Sequence, residues 1–519
     1  MPKKIALWLI GAGLLAARFF LIFRYRFDSD EPQHMHVAWA WSHGMVQYRD
    51  VFDNHMPLFH LVTSPLFAIG GDDPRLLFAA RMLMVPFFVL SIGLVWLIAR
   101  RLFDTRTAFW AAGLAAITPP FFLGSLEYRT DDLWIVCWLA ALAITISNMK
   151  PLAKSVLGGL ALGLAAGVSM KTTLFVAAIT AAGALTPLLM WNRGARRTVG
   201  QIVRWVAIFT ICVAIVPVTI AGAFAAAGAW RSFQYGVFGH NVFPYEHAYR
   251  LLFFGPLYFL VRAIAVRIAR SEGDDPIVRK RLFLFLAASV YFGILVTFWP
   301  MTSAESYLPF YPVAAILVAP LLLRSQKILV PATLAAALVV VTIANARPWR
   351  NDAASEVQVV QTVLTLTSPD EPVMDLKGES VFRQRPWYFA LEAITNIKLR
   401  LGNIRDDIAA ALVKSRTHVV VSDSLPPNSR RFVEANYVPW GIVRVAGVRL
   451  GHISTRMHFR IAVPGTYIVI SSGHSVTAQI DGHDARSGVD LSAGDHYVAS
   501  VEPLEDATVI WSGVLRTRG

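Results

Sequence analysis

Between Asp28 and His36 the chain sets three carboxylates (Asp28, Asp30 and Glu31), the amide Gln33 and two histidines, His34 and His36, directly after a hydrophobic segment. Polar clusters against a membrane wall are costly and usually mark function. Glu127-Tyr128-Arg129-Thr130-Asp131-Asp132 forms a second charged cluster, just ahead of an apolar run that starts at Leu133. Lys171 sits in the short turn Met170-Lys171-Thr172 between two more apolar runs. Together these types suit the transfer of a group to a hydroxyl. A carboxylate in a partly dry cleft can take the hydroxyl proton in the transition state. A compact ammonium or a guanidinium can hold a phosphate. Arg129 could equally tether a carboxylate, and Asp131 could join Asp30.

Each feature has a plainer explanation. Pro32 favours the first turn of a helix, and an acidic pair at that point often does no more than cap it. On such a helix Asp30 and His34 are four apart and Glu31 and His34 three apart, so one face can present all three. Glu127 to Asp132 could be a charged helix start, and Lys171 could snorkel to the interface. The same holds for Arg18, Arg24 and Arg26, which could instead hold a lipid phosphate. Asp30, Glu31, His34 and His36 could also ligate a divalent metal, although no established metal spacing is matched. Gly239-His240-Asn241, Tyr245-Glu246-His247, and Ser303, Glu305, Ser306 and Tyr307 supply the hydrogen-bonding groups that sugar recognition needs. No Walker-type loop, dinucleotide fingerprint or nucleophile elbow is present, which argues against a nucleotide-driven engine.

The elements that must position these groups are membrane helices. In 519 residues, 55% are hydrophobic and 16% charged, and apolar runs recur without the alternation of a membrane β-barrel. Eleven spans are expected: roughly 5–23, 81–99, 107–123, 132–148, 155–170, 172–191, 204–223, 250–268, 282–299, 307–323 and 328–344. The pair around Lys171 could be broken or tilted. The net charge of +14 collects at span ends, which favours a role in orientation over nucleic-acid binding. Lys3/Lys4, Arg100/Arg101/Arg106, Lys150/Lys154, Arg193/Arg196/Arg197, the 262–281 group and Arg324/Lys327 all fall on one side, which the rule makes cytoplasmic. Loop 24–80 and everything after Arg347 then face outward. Cys137 and Cys212 lie in apolar runs and imply no disulfide. Met1 to Phe23 reads as an uncleaved first helix.

Within loop 24–80, segments near 33–43 and 57–69 fit helices lying on the membrane surface, with Trp39 and Trp41 suited to the interface. Composition shifts at Arg347-Pro348. Residues 346–445 suggest a small extracytoplasmic α/β domain, and 446–519 a β-rich, sandwich-like one, beyond a transmembrane domain at 1–345.

The ordered set Asp30-Glu31-x-x-His34-x-His36, His55-Met56-Pro57-Leu58, Arg129-Thr130-Asp131, Lys171-Thr172 and Tyr307-Leu308-Pro309 resembles the GT-C membrane glycosyltransferases. Within them it is similar to the bacterial aminoarabinose-transferase and protein O-mannosyltransferase-like group. The resemblance covers about 1–345. It implies inverting transfer of a sugar from a polyprenyl-phosphate donor to a lipid, glycan or protein acceptor outside the bacterial inner membrane. Asp30 would be the general base, with Glu31 and Asp131 supporting it or binding a metal where one is used. Arg129, Lys171 and Arg24 would hold the donor phosphate, or Arg129 the acidic pair. His34, His36, His55, Glu305 and Tyr307 would bind substrate. The run Gln33 to His36 and the β-rich tail depart from the aminoarabinose transferases. Two other readings stand beside this one. A flippase or transporter for lipid-linked sugars would place charges at mid-span, where few lie. A non-catalytic membrane protein with an outward carbohydrate-binding domain gives no reason for two acidic clusters and a lysine on one face.

Overall fold

The computed structural model describes residues 2–190, 199–242, 248–271, 275–324, 329–422 and 424–518. The chain forms two compact units. The helical unit comprises Met1–Tyr25, Asn54–Thr63 and Phe78–Asn351; the mixed unit comprises Arg26–Asp53, Ser64–Leu77 and Asp352–Gly519.

Among the described residues, seven helices are long and apolar enough to cross a membrane: Leu76–Leu102, Pro151–Val168, Thr172–Leu189, Val203–Ala226, Ala248–Ala269, Pro276–Thr297 and Leu329–Ala346. Four other expected spans are helical but fall short of that standard. Leu9–Ile22 and Phe310–Leu323 are apolar and shorter. Thr130–Thr145 has 16 residues. The segment expected at 107–123 is broken into Thr105–Ile117 and Pro119–Gly124, because Thr118 turns extended (ψ 117°) ahead of Pro119. The basic clusters Arg193/Arg196/Arg197 and Lys327 lie outside the described residues, as does Tyr245-Glu246-His247.

Close packing in the helical unit depends on small residues. A Cβ added at Gly159 would stand 2.7 Å from the Phe209 carbonyl oxygen, and one at Gly163 would stand 3.0 Å from that of Val213. The two glycines, four apart, let Pro151–Val168 and Val199–Ala226 approach backbone to backbone. Trp134 and Trp138 stack on Phe175 with centroids 4.4 and 4.2 Å apart, joining Thr130–Thr145 to Thr172–Leu189. Cys137 and Cys212 are free and buried.

Arg18 does not snorkel. It is fully buried, donates from Nη1 to Ser125 Oγ at 2.9 Å and from Nη2 to the Ser125 carbonyl, and lies 4.2 Å over the Phe88 ring. An inward hydrogen-bond set of this kind keeps a guanidinium inside a helix bundle. Arg81, also buried, donates to the Ile22 and Tyr25 carbonyls at 3.1 and 2.8 Å and so closes the C-terminal end of the first helix.

In the mixed unit an eight-stranded sheet runs in the order Val373–Met374, Val419–Val420, Val443–Ile453, Leu504–Trp511, Gly465–Ser471 and Val489–Leu491, with Tyr437–Trp440 and His474–Ser475 paired off this path. The first pair is parallel; Leu504–Trp511 pairs antiparallel to both neighbours, with Val509 opposite Val448 and Val469. A four-stranded sheet, in the order Arg456–Ile461, Gly494–Ala499, Gln479–Ile480 and His483–Asp484, adds Phe459, Ile461, Ile480 and Val498 to the same core. In Arg456–Ile461, Phe459 and Ile461 are buried while Arg456, His458 and Arg460 are exposed, the period-two pattern of a half-covered strand. The boundary expected at 445/446 falls inside Val443–Ile453, and one hydrophobic core runs from Val363 to Val514 across it. The α/β and β-rich stretches therefore share a core in place of two separate ones.

Candidate functional site

In the helical unit the charged cluster stays together. Arg129, immediately before Thr130–Thr145, sits among three carboxylates: Nε lies 3.3 Å from Asp131, and Nη1 lies 3.9 Å from both Glu127 and Glu305. Arg129 and Glu127 are each 6% exposed, Asp131 9% and Glu305 21%. Asp131 and Asp132 occupy the first helical turn, where the helix dipole favours negative charge. Glu305 belongs to the short turn Ala304–Tyr307, fastened by the Tyr291 hydroxyl, which donates to the Ser306 carbonyl at 2.6 Å. Tyr307 is half-buried, its ring 6.3 Å from that of Phe292. Three carboxylates around one guanidinium leave excess negative charge in a largely dry place.

Lys171 precedes Thr172–Leu189 as its N-cap residue and is half-buried; its ammonium takes no ion pair among the described residues. The Trp134 indole donates to Thr172 Oγ1 at 2.9 Å, so the helix that carries Asp131 and the helix that follows Lys171 are tied within a turn of both residues. Asn241 donates to the Asn54 carbonyl at 3.1 Å and lies 3.5 Å from Met170 sulfur, which brings the stretch bearing His55 beside the Lys171 turn. Arg24, in the turn just past the first helix, lies 4.9 Å from the ring of Phe20. The Tyr128 hydroxyl meets Thr63 Oγ1, and burial pushes its pKa up.

In the mixed unit, helix Asp30–Ser42 begins at the expected acidic pair. Asp28 accepts the Asp30 N–H at 3.1 Å, and Glu31 accepts the Asp28 N–H at 2.9 Å, a reciprocal cap. Glu31 is fully buried, so it caps this turn without being a solvated charge. Arg26 pairs with Asp28 at 3.3 Å. The helix is not the half-exposed amphipathic element expected on a membrane surface: every residue from Glu31 to Ala40 is buried. The segment 375–381 covers it. His36 Nδ1 donates to the Val381 carbonyl at 2.8 Å, and burial, then the Arg385 guanidinium, hold its pKa at about 4. At neutral pH His36 is thus an uncharged structural donor. His34 is fully buried one turn after Asp30. Among the described residues no three His, Cys, Asp or Glu side chains are grouped to hold a metal, so the set Asp30, Glu31 and His34 does not form one. Glu31 is turned to the cap, and Asp30 takes Lys377 Nζ at 2.7 Å.

Nothing in the sequence singles out Lys377. Its loop, Asp375-Leu376-Lys377-Gly378-Glu379-Ser380, shows turn chemistry, but no local signal names a partner 347 positions away. Asp375 accepts the Gly378 and Ser380 N–H groups, each at 3.0 Å, and pairs with Arg385 at 2.8 Å; those charges and bonds hold its carboxyl below the usual range despite burial.

Residues 54–221 match the sequence profile of the family described as dolichyl-phosphate-mannose-protein mannosyltransferase. Over 173 residues, 32% of this chain, the sequence is 29% identical to undecaprenyl phosphate-alpha-4-amino-4-deoxy-L-arabinose arabinosyl transferase 1 of Pseudomonas fluorescens (strain Pf0-1). That match spans 29% of the relative's length. The crystal structure of ArnT from Cupriavidus metallidurans in the apo state is similar with a TM-score of 0.61 at 12% identity, covering 86% of this chain and 98% of that one. For the same protein bound to undecaprenyl phosphate the TM-score is 0.59 at 13% identity, covering 85% and 97%. The likeness in fold extends past 1–345 into the C-terminal region, where the sequence resemblance ends. The chain has the GT-C fold of the membrane glycosyltransferases.

Proposed function

We propose that this chain is an inverting glycosyltransferase that moves a sugar from a polyprenyl-phosphate carrier to a lipid, glycan or protein acceptor outside the membrane. The acceptor oxygen attacks the anomeric carbon as its proton passes to Asp30. The anomeric carbon–oxygen bond to phosphate breaks, and its electron pair leaves with the polyprenyl phosphate. Positive charge is needed where that phosphate departs, and a carboxylate where the hydroxyl is deprotonated. The observation that carries the reading is the half-buried Lys171, free of an ion pair among the described residues, on a helix tied to the one that bears Asp131. An ammonium in that position suits a phosphate.

The named relatives support the choice of carrier: one is named for undecaprenyl-phosphate aminoarabinose, and one structure holds undecaprenyl phosphate. Arg24 would assist Lys171, while Glu305, Tyr307 and His55 would contact the sugar. Asp131, held by Arg129, would be the carboxylate that the helical unit contributes to the transfer. The N-terminus lies in the cytoplasm on this reading, and loop 24–80 with the C-terminal region lies outside. The test supplies purified protein with undecaprenyl-phosphate-linked aminoarabinose or mannose, carbon-14-labelled in the sugar, plus envelope extract as acceptor. Extract-dependent release of undecaprenyl phosphate is expected. Lys171→Met should raise the donor KM about 10-fold or more, the worth of one charge-assisted hydrogen bond. An unchanged KM would remove Lys171 from the donor site.

A further inference from the structure

We propose that Lys377 is a positioning residue of the transfer site, its ammonium holding the Asp30 carboxylate ionised and aimed to take the acceptor proton. This rests on the transferase reading, which gives Asp30 the role of base. The structural observation stands apart from it. Lys377 Nζ donates to Asp30 Oδ1 at 2.7 Å and to Ser29 Oγ at 3.0 Å. Both partners of the ion pair are largely withdrawn from solvent, Lys377 18% and Asp30 28% exposed. At that depth an ion pair is screened far less than at a surface.

The loop that delivers the ammonium is built to be rigid. Asp375 gathers the Gly378 and Ser380 N–H groups, the Ser380 hydroxyl and Arg385. Glu379 accepts the N–H groups of Leu376 and Lys377 at 2.9 and 2.8 Å, which fixes the Lys377 backbone from its other side. Gly378 has φ +113°, and a Cβ there would stand 2.9 Å from His36 Cβ and 3.0 Å from the Pro32 carbonyl oxygen. The loop thus lies directly on the first turns of helix Asp30–Ser42. The other charged groups of the helix start and of the 375–385 loop are already engaged. Asp28 pairs with Arg26, Glu31 caps the helix, and Asp375 pairs with Arg385. His36 is neutral above about pH 4, and Glu379, raised to about 7 by burial and by Asp375, is bonded to its own loop. His34 lies one turn along the same helix. The geometry gives Lys377 to Asp30.

A purely structural tie would affect stability alone, whereas a positioning role changes when Asp30 binds a proton. The direct readout is therefore carbodiimide labelling of Asp30 against pH, followed by peptide mass spectrometry, since only the protonated carboxyl reacts. Wild type, Lys377→Met and Lys377→Arg are compared as full-length protein in detergent, with folding checked by circular dichroism. Removing the ammonium should move the labelling midpoint up by about one pH unit or more, while arginine keeps it near wild type. In the undecaprenyl-phosphate sugar assay, Lys377→Met should lower kcat about 10-fold at neutral pH, shift the acid limb upward equally, and leave the donor KM unchanged. An unmoved labelling midpoint in folded Lys377→Met would overturn the proposal. Wild-type protein that turns over neither donor would count against the transferase reading, while the labelling result still decides whether Lys377 sets the ionisation of Asp30.

Discussion

His36 has the residue type of a substrate or metal group, yet its ring is spent on the Val381 carbonyl inside the mixed unit. The consequence is a pH dependence of known sign. Burial depresses its pKa from 6.5 to about 4, so the stability it brings is full above 6.5 and is lost as pH falls through about 4. A shift of this size corresponds to up to about 3 kcal/mol. Glu379 acts the other way: with its pKa raised from 4.5 to about 7, it favours the fold below 4.5 and loses that effect as pH rises through about 7. The two partly cancel, so the informative quantity is the difference between proteins. His36→Gln should lose the acid slope between pH 6.5 and 4 in denaturant titrations, and a variant that keeps the wild-type slope would contradict the assignment. That Asp30, Asp131 and Lys171 stand at helix starts is legible from the local sequence. The pairings of Lys377 and Arg18 are not, because their partners lie 347 and 107 positions away and no local pattern records such pairs.

At the scale of elements, periodicity places helices at 33–43 and 57–69, within a few residues of Asp30–Ser42 and Leu58–Gly70. It misjudges the first one's surroundings, because burial of a polar face depends on a loop that arrives far later in the chain. The break at Thr118-Pro119 is legible in principle from the proline pair, although the apolar run outweighs it. Close helix approach gives an element-scale prediction. Gly163→Val should destabilise the pair formed with Val199–Ala226 by about 1–3 kcal/mol, since its Cβ would press on the Val213 and Cys212 carbonyls. Gly183 is the control: a Cβ added there would meet nothing within 4 Å, so valine should be tolerated far better. Thermal melting in detergent measures both, and equal losses would remove the packing argument.

At the scale of the whole molecule, hydrophobic bulk and charge placement reveal a polytopic helical protein with a C-terminal β-rich region. They do not reveal that 26–53 and 64–77 fold into the same compact unit as 352–519. Compactness of that kind comes from long-range pairing, whereas composition along the chain reports only where polarity changes. The proposed orientation makes a prediction here. On a background in which Cys137 and Cys212 are buried, a cysteine at exposed Asn428 should react with a membrane-impermeant maleimide in intact spheroplasts, and one at exposed Arg106 only after lysis. The reverse pattern would invert the topology and place the Asp30 unit in the cytoplasm.

Removal of the acceptor proton by Asp30 is the step on which the proposed sugar transfer turns. Turnover of undecaprenyl-phosphate-linked sugar by Asp30→Asn, set against wild type at equal folded protein, tests it most directly. A loss of about 100-fold or more in kcat, with donor binding and melting temperature close to wild type, is the predicted result. An Asp30→Asn enzyme that transfers sugar at the wild-type rate would contradict it.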